Sequence, residues 1–455
     1  MPCIDVICAI HNSFFDLTTN PYICLTFTKL GEYRIMKVFK FGGASVKNAE
    51  AVRNVADILK QYANQELLIV VSAMGKTTNA LELLAKAYYN NENESKNNLF
   101  NEVKTFHDEI IKHLLKDTAS HAYDDIENLF IELDCELESS PEGSFDAIYD
   151  QIVSYGEIFS SRIISAFLND SGIRNRWMDA RNFISTDSTY REGKVDWKTT
   201  ETLIGNKLKP IVKKQMVITQ GFIGKNKDNH TVTLGREGSD YTAAIFAYGL
   251  KADNVTIWKD VAGVMNADPK KFPDAVKLNA LSYPKAIEMA YYGATVIHPK
   301  TIQPLQSKHI PLFVKSFINP DDKGTVVGVG KDLEEHIPTF ISKNNQLLIS
   351  ISSKDFSFIV EDNLSNIFFV FARHKVKINL MQNSAISFSV CIDNEEDKTE
   401  KLLSELALNY NIKSNSGLEI LTITNYNNEL LKQLSDGRKL FIEQKTRNTL
   451  QLVLS

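Results

Sequence analysis

Short continuous apolar runs alternate with stretches in which apolar residues recur three and four positions apart. Val38 to Phe41, Leu67 to Ala73, Met216 to Phe222 and Val255 to Trp258 are such runs, and they predict strands buried on both faces of a mostly parallel sheet. Val52, Val55, Ala56 and Leu59 share one helical face. Leu81 to Ile152 is mainly helical, interrupted by the Asn/Glu-rich run Asn90 to Asn98, which is expected to be a solvated loop. Strands alternating with helices in this way predict an α/β sandwich.

The pattern changes near residues 320–345, where Pro320, Gly324, Gly328, Gly330 and Pro338 cluster with charged residues and mark a domain edge. Beyond it, Leu347 to Ile351 reads as a strand. Leu364, Ile367, Phe368 and Phe371 make a helical stripe, and Val376 to Leu380 and Ala385 to Cys391 read as strands. Leu403, Leu406, Ala407 and Tyr410 make a second stripe before a strand around Leu418 to Thr424. The order β-α-β-β-α-β is that of a ferredoxin-like unit. The expected division is an extension over 1–35, a large α/β domain over 36–330, a linker over 331–345, the ferredoxin-like unit over 346–415 and part of a second such unit over 416–455. Met36 stands directly before the first strand and is read as the functional start, so the preceding segment is expected to be dispensable.

Composition narrows the partners. At 455 residues and 43% hydrophobic, the chain can build two or three globular units of roughly 100–200 residues each. Lys+Arg 51 against Asp+Glu 56 gives a net charge of −5 with no basic block, which argues against nucleic acid. Cys3, Cys8, Cys24, Cys135 and Cys391 have neither C-x-x-C spacing nor a regular framework, so a reducing, cytoplasmic setting is expected and structural zinc is not. No apolar stretch approaches the roughly 18–20 residues of a membrane helix, and the first 35 residues lack the basic start of a signal peptide.

Two segments carry chemistry. In Lys40-Phe41-Gly42-Gly43-Ala44-Ser45-Val46, one lysine and two glycines stand where a strand hands over to a helix. Glycines there let backbone amides approach phosphoryl oxygens, and Lys40 adds a point charge. A Gly-Gly turn alone is as well explained by chain reversal. The second segment, Gln220 to Ala244, leaves a strand at Gly221 and enters an apolar helix through Gly235-Arg236-Glu237-Gly238-Ser239-Asp240. Ser239 and Asp240 stand where N-caps stand, a role worth about 1 kcal/mol. Capping does not account for the Arg236 guanidinium beside them, whose planar fork suits a carboxylate.

From Val38 onward the chain resembles the aspartokinase family, within the amino-acid kinase fold. Ordered motifs carry the resemblance: Lys40 to Val46, Val71-Ser72-Ala73-Met74-Gly75-Lys76-Thr77-Thr78-Asn79, Ser154-Tyr155-Gly156-Glu157, Leu234 to Ala244, Trp258-Lys259-Asp260-Val261 with Asp268-Pro269-Lys270, and Glu288 to Pro304. The resemblance implies a carbamate-kinase-like three-layer sandwich with a mostly parallel sheet, followed by C-terminal ferredoxin-like ACT units. It implies ATP-dependent phosphorylation of the L-aspartate β-carboxylate to 4-phospho-L-aspartate, for lysine, threonine and methionine synthesis. Lys40 and Asp240 would be catalytic. Thr78, Glu157, Arg236 and Ser239 would bind aspartate, Glu157 taking the ammonium and Arg236 the carboxylate. Lys40, Phe41, Gly42, Gly43, Lys259, Asp260, Met265 and Lys270 match ATP-contact positions. Mg²⁺ is expected as MgATP, held by phosphate oxygens and water, so no protein ligand is named.

Three departures accompany the match. Thr295 stands where a lysine is usual, Lys259 where a threonine is usual, and Glu237 where a second glycine is usual. The Lys259 charge is expected to replace the one missing at Thr295, and Glu237 is expected to face solvent. Gly75-Lys76-Thr77 imitates the end of a P-loop, but Val70 stands where the opening glycine should be. His298 is read as a structural histidine, because a carboxylate attacking phosphorus needs no base. A fused homoserine dehydrogenase after Ser455 is not expected. In the ACT-like unit, Ile378, Asn379, Gln382 and Asn383 match effector positions, and a homodimer through these units is implied. Asn379 and Ala385 replace the acidic residues of lysine-inhibited relatives, which disfavours lysine and leaves threonine as the other effector. The alternative function is an amino-acid sensor with a decayed kinase site.

Overall fold

The order of strands in space follows from which runs are apolar on both faces. In the computed structural model, described over residues 35–115, 121–294, 297–330, 337–355, 357–426 and 437–455, β1 (Met36–Phe41), β2 (Glu66–Val71), β3 (Asn175–Trp177) and β4 (Met216–Gln220) form one side of a sheet. A hairpin follows, β5 (Ile223–Lys225) and β6 (Thr231–Thr233). The sheet continues with β7 (Asn254–Lys259), β8 (Ala280–Ser282), β9 (Leu312–Ser316) and β10 (Thr325–Gly328), in the eight-stranded order β3-β4-β2-β1-β7-β9-β10-β8. Every pairing in it is parallel except β9 with β10.

Successive strand residues face opposite layers. Phe39, Phe41, Leu67, Ile69 and Val71 pack under one helical layer, and Met36, Val38, Leu68 and Val70 under the other. The first layer holds α1 (Ala49–Lys60), α2 (Thr77–Tyr89), α3 (Asn93–Leu114), α4 (His121–Glu138) and α5 (Phe145–Asp170). Short helices α6 (Trp197–Leu203) and α7 (Lys209–Val212) lead into β4. The second layer is built on α8 (Gly238–Leu250), α9 (Tyr283–Tyr292) and α10 (Pro299–Ser307). This is the helix–sheet–helix sandwich the periodicity predicts. The run Asn90 to Asn98 corrects one expectation: it is solvated, but from Asn93 onward it is the start of α3. Its polar residues lead directly into Leu99, Phe100 and Val103, whose packing on the core rewards continuing the helix.

The C-terminal part is β11 (Thr339–Ser353), α11 (Glu361–Arg373), β12 (Ile378–Asn383), β13 (Ser387–Asp393), α12 (Glu396–Asn409) and β14 (Tyr410–Thr424), then the hairpin β15 (Leu440–Lys445) and β16 (Thr449–Leu454). Its sheet order, β12-β13-β11-β14-β16-β15, contains the ferredoxin-like arrangement with the last hairpin added to the β14 edge. Three boundaries differ from the reading of the sequence. β11 begins at Thr339, inside the expected 331–345 linker, because its first residues pair with Ile420 to Thr424. β14 is one strand across the expected 415/416 division. Ile378 to Asn383, matched to an effector loop, form an edge strand paired to β13. Residues 1–34, Thr295 and residues 331–336 lie outside the described residues. Among the described residues, no helix is long and apolar enough to cross a membrane.

Candidate active site

The carboxyl ends of β1, β2, β4 and β7 converge on a cleft of about 580 Å³, the place where open α/β sheets bind ligands. Lys40, near the end of β1, is 7% exposed, and its Nζ lies 2.6 Å from Asp240 Oδ1. Lys259, at the end of β7, places its Nζ 3.2 Å from Asp240 Oδ2. Burial alone would raise the Asp240 carboxyl; the two ammoniums outweigh it and hold it below the usual carboxylate range. One carboxylate therefore aims two lysines at the same space.

Asp240 is in position because of how α8 begins. The helix is capped by Glu237 in the left-handed region (φ 52°) rather than by Ser239 or Asp240, which are inside the first turn. Gly221 permits the approach: a Cβ there would stand 2.5 Å from the Ser239 side chain. Glu237 also departs from expectation. It faces the cleft, with Oε2 buried and without a hydrogen-bond partner, and burial raises its carboxyl, followed in the opposite direction by Lys259. The strained cap turns the side chain inward.

Across the cleft, Glu157 projects from α5 with its carboxylate fully buried. Oε1 accepts the Ala73 amide at 3.3 Å, and Oε2 has no hydrogen-bond partner. Burial pushes this carboxyl up to about 8, against the pull of the Ala73 amide and Lys40. The neighbouring Gly156 lets α5 approach Ala73, whose Cβ would stand 3.0 Å from an added Cβ. Thr78, Arg236 and Ser239 line the same cleft, as do Ser72 and Thr233, which lie in the chemistry-bearing segments without an assigned role, and Arg191, to which no motif pointed.

The nucleotide set is divided. Lys40, Gly43 and Lys259 line the cleft. Gly43 is pressed between carbonyls, with an added Cβ 2.9 Å from that of Ala73. Gly42 adjoins Lys40, its added Cβ 3.3 Å from Nζ. The Phe41 side chain is not a ligand contact; it is fully buried and stacks on Trp258 at 5.9 Å. Asp260, Met265 and Lys270 lie outside the cleft, on the segment between β7 and β8. His298 caps α10 through Nδ1, which accepts the Lys300 amide at 3.2 Å. Asn379 donates to Gln346 and Asp393 at 2.9 and 3.0 Å and accepts Lys343 at 2.8 Å, whereas Gln382 and Asn383 are exposed.

Comparison with known proteins agrees with this architecture. The amino acid kinase family profile matches residues 36–316. Lysine-sensitive aspartokinase 3 of Escherichia coli strain K12 is 30% identical over 414 residues, covering 89% of this chain and 90% of that one. The crystal structure of E. coli aspartokinase III with aspartate and ADP has a TM-score of 0.79 at 27% identity, covering 92% of this chain and 96% of that one. The form with lysine and aspartate has a TM-score of 0.78 at 28% identity, covering 92% and 95%. With a profile spanning more than half its length and a relative matched almost end to end, the chain belongs to the aspartokinase family of amino acid kinases.

Proposed function

We propose that this protein is an aspartate kinase in which Glu157 and Arg236 hold L-aspartate and the Lys40–Asp240–Lys259 cluster faces the terminal phosphoryl group of ATP as it passes to the substrate. The observation that carries the reading is that cluster: two lysines on one buried carboxylate, facing a cleft that also holds the unpartnered Glu157 Oε2. A β-carboxylate oxygen of aspartate attacks the terminal phosphorus. A new O–P bond forms, the bond from that phosphorus to the bridging oxygen of ADP breaks, and no proton has to be removed from the nucleophile. Catalysis is then positioning and charge stabilisation. Lys40 and Lys259 offset charge developing on the transferring oxygens, and Asp240 keeps both from turning away. Thr78 and Ser239 are neutral hydrogen-bond partners for the substrate. Met265, Asp260 and Lys270 are read as nucleotide contacts, supported by their match to the family's loop.

Mg²⁺ enters this reading with ATP. Asp240 is engaged by two ammoniums, and this reading gives the ion phosphate oxygens and water as its ligands. A homodimer through the C-terminal sheet belongs to the same reading, supported by Phe369 on α11, Met381 on β12 and Ile386 in the turn after β12, all exposed. So does an amino-acid effector, lysine or threonine, bound near β12; the E. coli relative is named lysine-sensitive.

Incubation with MgATP, L-aspartate and hydroxylamine is expected to yield aspartyl hydroxamate together with ADP. Absence of both, with aspartate still bound, would replace the kinase by a sensor. Repeating the assay with lysine, threonine and both together tests effector control.

A further inference from the structure

Asp150 belongs to none of the motifs that carry the family resemblance, yet its carboxylate holds two segments of the cleft wall. It is completely buried on α5. Oδ1 accepts the Thr233 hydroxyl at 2.6 Å, and Oδ2 accepts the Thr233 amide and the Arg191 amide, both at 2.9 Å. A buried carboxylate is costly unless its lone pairs are satisfied. Here the partners are two backbone amides and one hydroxyl, drawn from parts of the chain far apart in sequence.

Those two segments are also tied to each other. The Gly193 amide donates to the Thr233 carbonyl at 2.9 Å. Gly235, with φ +78°, lies against the Arg191 carbonyl, which would stand 3.1 Å from an added Cβ. The chain running from Thr233 to Arg236 is therefore fixed from two sides. Two turns further along α5, on the same face and about 10 Å away, is Glu157. One helix thus sets both ends of the substrate clamp, Glu157 directly and Arg236 through Asp150 and Thr233.

Resting on the reading of Glu157 and Arg236 as that clamp, we propose that Asp150 is a positioning residue: it locks the Thr233–Arg236 segment to α5 and fixes the span in which aspartate is held. It does not touch the nucleotide side of the cleft. Its effect should therefore appear in aspartate binding alone.

The test uses the full chain carrying Asp150→Asn, Thr233→Val and both together. Asparagine keeps the volume and can still accept both amides on Oδ1, but it carries no charge, and its Nδ2 offers the Thr233 hydroxyl a donor where the carboxylate offers an acceptor. Losing such charge-assisted hydrogen bonds is expected to raise KM for aspartate about tenfold in Asp150→Asn and about threefold in Thr233→Val. KM for ATP should stay within about twofold and kcat within about threefold, and the double variant should be no worse than Asp150→Asn, since both act through one contact. Parallel increases in both KM values, or an unchanged aspartate KM with only a lowered Tm, overturn the proposal. If Asp150→Asn does not fold, Thr233→Val decides alone by the same split. Glu157→Gln and Arg236→Ala are measured alongside. If they raise the aspartate KM while Asp150→Asn and Thr233→Val do not, the clamp stands and the positioning role fails. If they leave it unchanged, the clamp itself fails and the proposal with it.

Discussion

At the scale of single residues, the active cleft is an arrangement of charges that burial makes sensitive. Lys259 shares Asp240 with Lys40. Lys259→Thr removes one of two cations at the proposed phosphoryl path and is expected to raise the apparent KM for ATP about five- to tenfold, with KM for aspartate little changed. Steady-state kinetics in both substrates checks this, and an unaltered ATP dependence would discard the role. Glu157 makes a second prediction. Burial pushes its carboxyl up to about 8, so below that pH the free enzyme holds it neutral. In the proposed clamp the ammonium of aspartate favours the ionised form, so binding is expected to release a proton. KM for aspartate should fall by up to about tenfold per pH unit between pH 6 and 8, then level off. Glu157→Gln should flatten that slope; a slope that survives the substitution contradicts the assignment.

At the scale of elements, the helical layer over the sheet contains a histidine the chemistry does not use. His107, on α3, is surrounded by the rings of Phe106, Phe130 and Phe159. Its Nδ1–H donates to the Val103 carbonyl at 2.7 Å, whereas Nε2 is buried without a partner. Burial lowers it to about 4, with the Val103 bond pulling the other way. A folded-state value below the unfolded one means a contribution that is intact above about pH 6.5 and lost as pH falls towards 4. The loss at pH 5 is roughly 2 kcal/mol by this linkage. His107→Phe should reduce the difference between urea midpoints at pH 7.5 and pH 5; an undiminished difference places the acid sensitivity elsewhere. The same layer explains why Asn93 to Asn98 are helical. Their own composition favours a loop, and the buried face of Leu99, Phe100 and Val103 decides otherwise.

At the scale of the whole molecule, the segment between β7 and β8 is fastened to the C-terminal sheet. The Phe340 amide donates to the Asn266 carbonyl at 2.7 Å, and the Asn266 side chain donates to the Pro338 carbonyl at 2.9 Å. Lys271 reaches Glu419 at 2.8 Å, and Phe272 stacks on Phe340 at 5.1 Å. Because this segment carries Met265 and Lys270, the proposed nucleotide contacts, the C-terminal sheet is fastened to that side of the enzyme, while Ser342 and Lys343 of β11 share a separate cleft with Arg236. Lys271→Ala is expected to raise KM for ATP about threefold and to leave KM for aspartate unchanged, with a stability cost of about 1 kcal/mol for this partly exposed pair. Equal shifts in both KM values would show that the two sides are not separated in this way.

The sandwich, the ferredoxin-like order and the residue types of the cleft are legible in the order of amino acids alone. Apolar runs buried on two faces read as parallel strands, and Lys40, Glu157, Arg236 and Asp240 stand within motifs of recognisable spacing. Tertiary structure alone decided what those residues face. Glu237 turns inward because a left-handed cap aims it there, Phe41 is withdrawn because it stacks on Trp258, and Asp150 acts only because Thr233 and Arg191, distant along the chain, arrive at its carboxylate. Periodicity records which face of an element is buried. It holds no information about which backbone amide from another element will meet a given side chain, and burial of the resulting contact sets both its strength and its charge state.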